Sequence, residues 1–226
     1  MRAMILAAGF GKRMMPLTAT TPKPLLQVNG KPLIDYHIER LRQAGIKELV
    51  INHAHLGQQI EDYCGNGSRY GVNIVWSREG EPLETAGGIA KALPMLGESP
   101  FVSVNGDIWT DYPFHSLLEK PLPRILAHLV LVNNPDHNAK GDFCLLPDGK
   151  LANSGNPAYT YSGIAVLSKA LFDRYGIYEG PLAPVLRKAI DDGLVTGEHF
   201  SGHWYDVGTP ARLDEVSKIV ASLAAY

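Results

Sequence analysis

The sequence has few cysteines, no long apolar run and almost no net charge. Only Cys64 and Cys144 occur among its 226 residues, so nothing indicates a disulfide framework, and the zinc motifs CxxC and HExxH are both absent. No stretch approaches the roughly 20 apolar residues that a membrane-spanning helix needs. The net charge of −2 gives no overall reason to expect nucleic acid or a membrane surface as a partner.

The first residues, MRAMILAAGF, resemble the start of a signal peptide. Their apolar run of about eight residues is at the short end for such a peptide, and Lys12 and Arg13 follow where a cleavage site would lie. We therefore expect a cytoplasmic protein. The oligomeric state stays open at this point, and a monomer is compatible with the sequence.

Segments of two periodicities alternate along the first half of the chain. Short apolar runs such as RAMILAA and KELVINHA are typical of buried strands. PLIDYHIERLRQAG has helical spacing, with Pro32 at its start, Gly45 at its end, and Ile34, Ile38 and Leu41 on one face. Strands that alternate with helices predict βαβ units and a mostly parallel sheet.

The second half of the chain differs in character. Asp148 and Gly149 separate two apolar segments and predict a β-hairpin, the segment VTGEHFSGHWYDVGT is rich in strand-forming residues, and a terminal helix is predicted over 210–225. The expected fold is therefore α/β: a Rossmann-like three-layer αβα domain with a mixed, mostly parallel central sheet.

The segment LAAGFGKRMMPLTATTPKPLL, near the start of the chain, concentrates glycine and positive charge. Glycine at positions 9 and 11 lets the backbone approach a ligand more closely than a residue with a Cβ would. Consecutive backbone N–H groups in such a turn bind anionic oxygens. Lys12, Arg13 and Lys23 add full charges, and the prolines on either side of Lys23 stiffen its backbone. The segment predicts a site for a polyphosphate.

Two common phosphate-binding motifs do not fit this segment. It lacks GxxxxGK[ST], so it is not a Walker A loop, and it lacks GxGxxG because Met14 stands where the third glycine would be. A dinucleotide-dependent oxidoreductase, which would bind NAD near Gly9 and Gly11, is therefore a weak alternative.

Four motifs, in the expected order, resemble those of the sugar-phosphate nucleotidyltransferases. AAGxGxR and a PKP lysine are present at 7–13 and 22–24, and ETAGGI at 84–89 is similar to the family's helix start that contacts nucleotide and sugar. VNGD at 104–107 resembles the family's metal-binding strand end, and WYDVGTP at 204–210 resembles its second acidic site. The resemblance covers residues 1 to about 220.

The resemblance implies a Mg²⁺-dependent enzyme with two small-molecule substrates. An oxygen of a sugar 1-phosphate attacks the α-phosphate of a nucleoside triphosphate, and pyrophosphate leaves. Since one anion must approach another, catalysis depends mostly on positioning and charge neutralisation. We expect one domain over residues 1–226, with a nucleotide-binding half of about 1–110 and a sugar-phosphate-binding half of about 111–226.

Asp107 and Asp206 are the expected Mg²⁺ ligands. Asp107 closes an apolar strand, and ligands of open α/β sheets collect at the carboxyl ends of strands. Asn105 faces the same side of that strand, where we expect it to hydrogen-bond the ribose. Two carboxylates, with phosphate oxygens and waters, make a Mg²⁺ site. Taken alone, an aspartate after a strand is more often a turn or capping residue, so the family resemblance decides this assignment.

The resemblance also assigns the other site residues. Arg13 is expected to neutralise the leaving pyrophosphate and Lys23 the α-phosphate region, and with Asp107 they form the predicted catalytic set. The expected nucleotide-binding residues are Ala8, Gly9, Gly11, Lys12, Arg13, Lys23, Glu79, Gly88 and Asn105. The expected substrate-binding residues on the sugar side are Lys140, Asn153, Gly163 and Glu179. A solvated surface position is the alternative for Lys12, Lys140 and Asn153.

UTP and N-acetylmuramate 1-phosphate, in peptidoglycan recycling, are the substrates that the resemblance favours. ETAGGI differs from the GTAG of glucose-1-phosphate thymidylyltransferases and is similar to a subgroup of N-acetylmuramate-1-phosphate uridylyltransferases and mannose-1-phosphate guanylyltransferase-like chains. The lactyl carboxylate of N-acetylmuramate requires a cation, for which Lys140 is the candidate. GTP with mannose 1-phosphate is one alternative. A catalytically inactive sensor of sugar nucleotides is another, and the presence of Arg13, Lys23, Asp107 and Asp206 argues against it.

Overall fold

A central sheet with helices on both faces organises the chain in the computed structural model, which describes residues 1–120, 124–176 and 179–223. Within these ranges the helices are α1 (Leu33–Gln43), α2 (Gly57–Cys64), α3 (Glu84–Leu96), α4 (Lys169–Tyr175), α5 (Ala183–Asp191) and α6 (Pro210–Leu223). The strands are β1 (Ala3–Leu6), β2 (Gln27–Val28), β3 (Lys31–Pro32), β4 (Glu48–His53), β5 (Asn73–Arg78), β6 (Phe101–Asn105), β7 (Ile108–Thr110), β8 (Ala127–Val132), β9 (Phe143–Leu145), β10 (Leu151–Ala152), β11 (Ala158–Leu167), β12 (Val195–Phe200) and β13 (Trp204–Asp206).

Among the seven main strands of the nine-stranded central sheet, one runs against the others. The order of the main strands is β12–β8–β11–β6–β1–β4–β5. β1 pairs in parallel with β4 and β6, β4 with β5, and β12 with β8. β11 is antiparallel to both β6 and β8, so β8 and β12 run in the same direction as β6. The predicted mixed, mostly parallel sheet is confirmed.

The sheet is buried on both faces. In β1, Ala3 and Ile5 pack into an apolar cluster with α1 and α2, whereas Met4 packs into a cluster with α3, α4 and α5. All three side chains are inaccessible to solvent. Strands covered on both faces have continuous apolar runs rather than alternating ones, which explains the sequence RAMILAA. The predicted three-layer αβα arrangement is confirmed.

A third, smaller core attaches α6 to the start of the chain. Leu213 and Val216 of α6 share this core with Met14, Leu26 and Trp109. The terminal helix begins at Pro210, as predicted, and is described to Leu223; positions 224 and 225 of the prediction lie outside the described residues. The chain's last helix is thereby packed beside the glycine-containing loop after β1.

The predicted hairpin is present between β9 and β10, which are antiparallel. Gly149 has a φ of +81°, a left-handed conformation that glycine adopts without steric cost. The Asp148 carboxylate accepts a hydrogen bond of 3.0 Å from the backbone N–H of Lys150. None of the helices in the described ranges has the length and hydropathy needed to cross a bilayer.

Candidate active site

A cleft of about 320 Å³ opens at the carboxyl ends of β1, β4 and β6. These strands are parallel neighbours, so the loops that follow them meet at one edge of the sheet, where ligands of α/β folds bind. The residues lining the cleft are Leu6, Ala7, Ala8, Gly9, Phe10, Lys23, Pro24, Asn52, Pro82, Glu84, Thr85, Asn105, Gly106 and Asp107. Five residues of the predicted site are in this set, and they come from three different segments of the chain.

The two glycines of the loop after β1 differ in their surroundings. Gly11 has a φ of +64°, and a Cβ there would lie 2.8 Å from the Thr18 side chain. A Cβ on Gly9 would meet nothing within 4 Å. Glycine at position 11 is therefore required by the fold of the loop, whereas glycine at position 9 leaves open space beside the cleft in which a ligand can approach the backbone.

Lys23 and Asp107 form an ion pair inside the cleft. Lys23 lies in a short 3₁₀ turn between Pro22 and Pro24, and its Nζ is 2.7 Å from Oδ2 of Asp107. The Lys23 side chain is 10% exposed and that of Asp107 is 39% exposed. An ammonium that is this deeply buried needs a charged partner, and the Asp107 carboxylate supplies it.

Asp206 is held beside Asp107 by a short two-stranded ribbon. β13 pairs with β7 so that Asp206 is opposite Ile108, and the backbone N–H of Val207 donates to the carbonyl of Asp107 at 2.9 Å. Oδ2 of Asp206 accepts a 2.8 Å hydrogen bond from Arg212 Nη1 in α6. The two aspartates predicted as metal ligands are thus on paired backbone segments. The Asp107 side chain is 39% exposed and that of Asp206 is 17% exposed.

The donor chemistry of this pair fits Mg²⁺. Carboxylate oxygens are the protein ligands that Mg²⁺ prefers, and it usually keeps waters and takes substrate phosphate oxygens as its remaining ligands. The part of the chain that the structure describes contains no group of three or more His, Cys, Asp or Glu side chains able to hold a metal ion. A Mg²⁺ ion at Asp107 and Asp206 would therefore take further ligands from substrate and water.

Asn105 and Gly163 come together although they were predicted for different substrates. Gly163 has a φ of +80°, and a Cβ there would lie 2.5 Å from the Asn105 amide nitrogen. The register of β11 against β8 shifts between Tyr161 and Ile164, next to this glycine. Gly163 is thus required for the position of Asn105, which lines the cleft, and its own contact with a sugar stays a prediction.

Asn52 is a site residue that the sequence interpretation missed. It is buried near the carboxyl end of β4. Its Oδ1 accepts a 2.8 Å hydrogen bond from the backbone N–H of Ala7, and its Nδ2 donates to Glu79 at 2.7 Å. The available signal was a polar residue near the carboxyl end of a predicted parallel strand, the same signal that led to Asn105. Asn52 fixes the start of the glycine loop against β4.

Glu79 and Gly88 lie behind the cleft wall. The Glu79 carboxylate is buried, and besides Asn52 it accepts a 3.0 Å hydrogen bond from the backbone N–H of Leu83. A Cβ on Gly88 would lie 2.7 Å from both Asn52 and Glu79. In this arrangement both residues support the wall through Asn52, and contact of either with a nucleobase stays a prediction.

Three other predicted residues do not line the cleft but belong to segments next to residues that do. Lys12 and Arg13 are exposed on a short turn that directly follows the glycine loop. Glu179 is exposed beside the start of α3, because the neighbouring Gly180 accepts a 2.8 Å hydrogen bond from the backbone N–H of Ala86 and donates one of 3.2 Å to the carbonyl of Leu83.

The two remaining sugar-side residues differ from each other. Lys140 is exposed in a loop that also contains His137, whose Nε2 is 3.3 Å from Asp206, so this loop reaches Asp206. Asn153 does not reach the cleft. Its amide nitrogen donates to the Arg187 carbonyl at 2.8 Å and to Asp191 at 2.7 Å, which attaches β10 to α5 instead.

The sequence matches the nucleotidyl transferase family over residues 2–143. The chain belongs to this family. The match covers every segment that lines the cleft, from the glycine loop after β1 to Asp107. The resemblance found in the AAGxGxR, PKP and VNGD motifs is confirmed at the level of the family.

Two curated relatives of this nucleotidyl transferase differ in how much of them it covers. It is 53% identical over 232 aligned residues to N-acetylmuramate alpha-1-phosphate uridylyltransferase of Neisseria meningitidis serogroup B, with 98% of this chain and 99% of that protein covered. It is 32% identical to mannose-1-phosphate guanyltransferase of Hypocrea jecorina, with 93% of this chain but only 61% of that protein covered. The second relative is therefore both more distant and considerably longer.

Solved structures support the fold of this nucleotidyl transferase. HddC from Yersinia pseudotuberculosis, complexed with GMP-PN, superposes with a TM-score of 0.79 at 21% identity, covering 97% of this chain and 99% of that one. A Bacillus anthracis chain in complex with sucrose gives a TM-score of 0.84 at 21% identity, covering 96% and 94%. At this identity the likeness supports the shared α/β fold alone.

Proposed function

We propose that this nucleotidyl transferase moves a uridylyl group from UTP to N-acetylmuramate 1-phosphate, giving UDP-N-acetylmuramate and pyrophosphate. The observation that carries the proposal is 53% identity to a protein of that name over nearly the full length of both chains. The cleft adds a physical reason, because it joins a glycine loop, a buried lysine and the Asp107 carboxylate at one sheet edge.

The chain's own residues would lower the electrostatic barrier of the reaction, each acting on a different part of the substrate's negative charge. Asp107 and Asp206 would hold Mg²⁺, which when bound withdraws negative charge from phosphate oxygens. The Lys23 ammonium, already inside the cleft, would neutralise charge at the α-phosphate as the sugar phosphate oxygen attacks. Arg13, exposed beside the glycine loop, would neutralise the leaving pyrophosphate.

The two substrates would approach from opposite sides of β1. Asn52, Glu79 and the start of α3 belong to residues 1–110, which we assign to the nucleotide. Gly163 and the loop that contains Lys140 belong to residues 111–226, which we assign to the sugar phosphate. The boundary runs where Gly163 meets Asn105. Lys140 is exposed in the same loop as His137, which contacts Asp206, and it is our candidate partner for the lactyl carboxylate.

We propose the cytoplasm as the location of this reaction and peptidoglycan recycling as its role. N-acetylmuramate is a cell-wall sugar, and its 1-phosphate and UTP are intracellular metabolites. We propose the two small-molecule substrates as the partners of the protein, and the oligomeric state stays open.

The test is pyrophosphate release in the presence of Mg²⁺, with each of the four nucleoside triphosphates crossed against the 1-phosphates of N-acetylmuramate, N-acetylglucosamine, mannose and glucose. We expect release with UTP and N-acetylmuramate 1-phosphate and little with any other pair. Release with GTP and mannose 1-phosphate instead would assign the activity named for the Hypocrea jecorina relative. Nucleotide binding without release from any pair would support the sensor alternative.

A further inference from the structure

The carboxylate of Asp206 is held by the protein through only one of its two oxygens. Oδ2 accepts a hydrogen bond of 2.8 Å from Arg212 Nη1, and Nε2 of His137 lies 3.3 Å from the same atom. Within the described part of the chain, no hydrogen bond or ion pair reaches Oδ1. One oxygen of this carboxylate is therefore engaged from two sides, while the other has no protein partner.

Gly208 makes room for the pair formed by Asp206 and Arg212. A Cβ on Gly208 would lie 3.0 Å from each carboxylate oxygen of Asp206 and 3.1 Å from Arg212 Nη1. Contacts this short would force the two side chains to move, so a larger residue would disturb the pair. Gly208 does not have a positive φ, and its backbone conformation gives no reason of its own for glycine. The missing side chain thus serves the pair.

Arg212 lies on a packed helix, in the first turn of α6. The next residue, Leu213, is buried in the third core together with Met14, and its backbone N–H donates to the Thr209 carbonyl at 3.0 Å. A guanidinium on an anchored helix holds its partner carboxylate in one orientation. Such a carboxylate has less conformational freedom left to lose when it binds a ligand.

Two other roles for Arg212 have different consequences. If it only neutralised a partly buried carboxylate, its removal would lower the stability of the protein and leave metal affinity unchanged. If it competed with a metal ion for the carboxylate, its removal would strengthen metal binding, because a neighbouring cation disfavours a second positive charge. The free Oδ1 argues against competition, since one oxygen of the carboxylate is enough to serve as a ligand of Mg²⁺.

We propose that Arg212 is a positioning residue, which fixes Asp206 through Oδ2 so that Oδ1 faces the Mg²⁺ ion. This inference rests on the proposed function, because that function places Mg²⁺ at Asp107 and Asp206. Carboxylates that bind metal ions are usually hydrogen-bonded in turn, and loss of such a partner typically costs about 10- to 100-fold in metal affinity or activity. The contact uses a single N–H of the guanidinium, so lysine can supply the donor that alanine lacks.

The test measures the binding of Mn²⁺ alone, without nucleotide or sugar phosphate. Mn²⁺ takes the same oxygen ligands as Mg²⁺, and electron paramagnetic resonance gives the concentration of the free ion. Titrations at one pH give the Kd for the wild type, Arg212→Ala, Arg212→Lys and Asp206→Asn, each shown to be folded by urea unfolding. Arg174→Ala is the matched control, because Arg174 donates to Asp192 at 3.0 Å but lies on α4, which does not line the cleft.

We expect Arg212→Ala to weaken Mn²⁺ binding at least about tenfold and Arg212→Lys to stay within about threefold of the wild type. Arg174→Ala should bind Mn²⁺ as the wild type does. Unchanged or tighter binding by Arg212→Ala would overturn the inference. An equal loss in Arg212→Lys or in Arg174→Ala would also overturn it, because the effect would then not come from a cationic donor at this position.

A different result bears on the proposed function itself. If the wild type binds no Mn²⁺, or if Asp206→Asn binds it as tightly as the wild type does, the metal site assigned to Asp107 and Asp206 is wrong. The inference about Arg212 then fails together with that assignment. This outcome is distinct from the others, because it is seen without any change at Arg212.

Discussion

The ion pair between Lys23 and Asp107 predicts that neutralising its two members has unequal costs. Asp107→Asn leaves the Lys23 ammonium without a charged partner, and that side chain is only 10% exposed. Lys23→Met leaves the Asp107 carboxylate alone instead, but 39% of that side chain is accessible to water. Water can therefore solvate the orphaned carboxylate much better than the orphaned ammonium.

The expected magnitudes follow from these exposures. Breaking a fully buried pair costs about 3–5 kcal/mol because one charge stays buried and uncompensated. Asp107→Asn is near that limit, and we expect it to lower the free energy of unfolding by about 3 kcal/mol. Lys23→Met is closer to an exposed pair, for which about 1 kcal/mol is typical. The double variant leaves no unpaired charge, so it should be more stable than Asp107→Asn alone.

The assay is urea unfolding of all four proteins, followed by tryptophan fluorescence in buffer with EDTA, so that no metal ion is bound to Asp107. The double-variant cycle then gives the coupling energy between the two side chains. The reasoning is refuted if Asp107→Asn is no less stable than Lys23→Met. It is also refuted if the losses of the two single variants simply add in the double variant.

Three further predictions concern pH, backbone strain and packing. Burial, together with a nearby arginine, lowers the pKa of His37 from its ordinary value of 6.5 to about 4. Between these pH values the unfolded chain binds a proton at His37 that the folded chain does not bind. The free energy of unfolding should therefore fall by roughly 3 kcal/mol as the pH drops from about 6.5 to about 4. In His37→Leu this part of the pH dependence should vanish from urea unfolding curves, and an unchanged dependence would contradict the assignment. Glu84 has a φ of +62°, so Glu84→Gly should be more stable than Glu84→Ala by about 1 kcal/mol. At exposed Lys91 in the same helix the order should be reversed, with the alanine variant more stable than the glycine variant. The same order at both positions in thermal melts would contradict backbone strain at Glu84. Gly163 has both a positive φ and a close side chain, so Gly163→Ala should lower the free energy of unfolding by about 3 kcal/mol. Gly149 has a similar φ but open space around it, so Gly149→Ala should lower it by only about 1 kcal/mol. Similar losses for the two variants in urea unfolding would contradict the packing argument.

The fold was predictable from the sequence because its longer helices and strands have a clear hydrophobic periodicity. The parallel strands are covered on both faces and so form continuous apolar runs such as that of β1, while α1 occupies Leu33–Gln43 within the segment whose ends Pro32 and Gly45 had indicated. The reversed direction of β11 within the sheet had no comparable local signal. Strand direction depends on which strands pair across the sheet, and pairing is decided by long-range packing.

The candidate site was predictable to the extent that single residues carry its chemistry. Lys23 and Asp107 were both assigned to it, but their contact joins residues 84 positions apart, and only the folded chain brings them together. Asn52 was missed because its role is to hydrogen-bond the backbone of another segment, which no motif records. Asn153 was expected at the sugar, and its amide bonds to α5 instead, because polar residues after short strands also serve to attach neighbouring elements.

The measurement that tests the central claim most directly is the rate of pyrophosphate release from UTP and N-acetylmuramate 1-phosphate as a function of Mg²⁺ concentration, for the wild type, Asp107→Asn and Asp206→Asn. Turnover by the wild type should require Mg²⁺ and saturate with it. Urea unfolding curves first establish that each variant is folded without urea. Both variants should then lose at least about a hundredfold in kcat at saturating Mg²⁺, because charge stabilisation of the transition state is lost. Near-wild-type kcat in either variant, or wild-type turnover that is independent of Mg²⁺, would contradict the claim that these two carboxylates hold the catalytic metal ion.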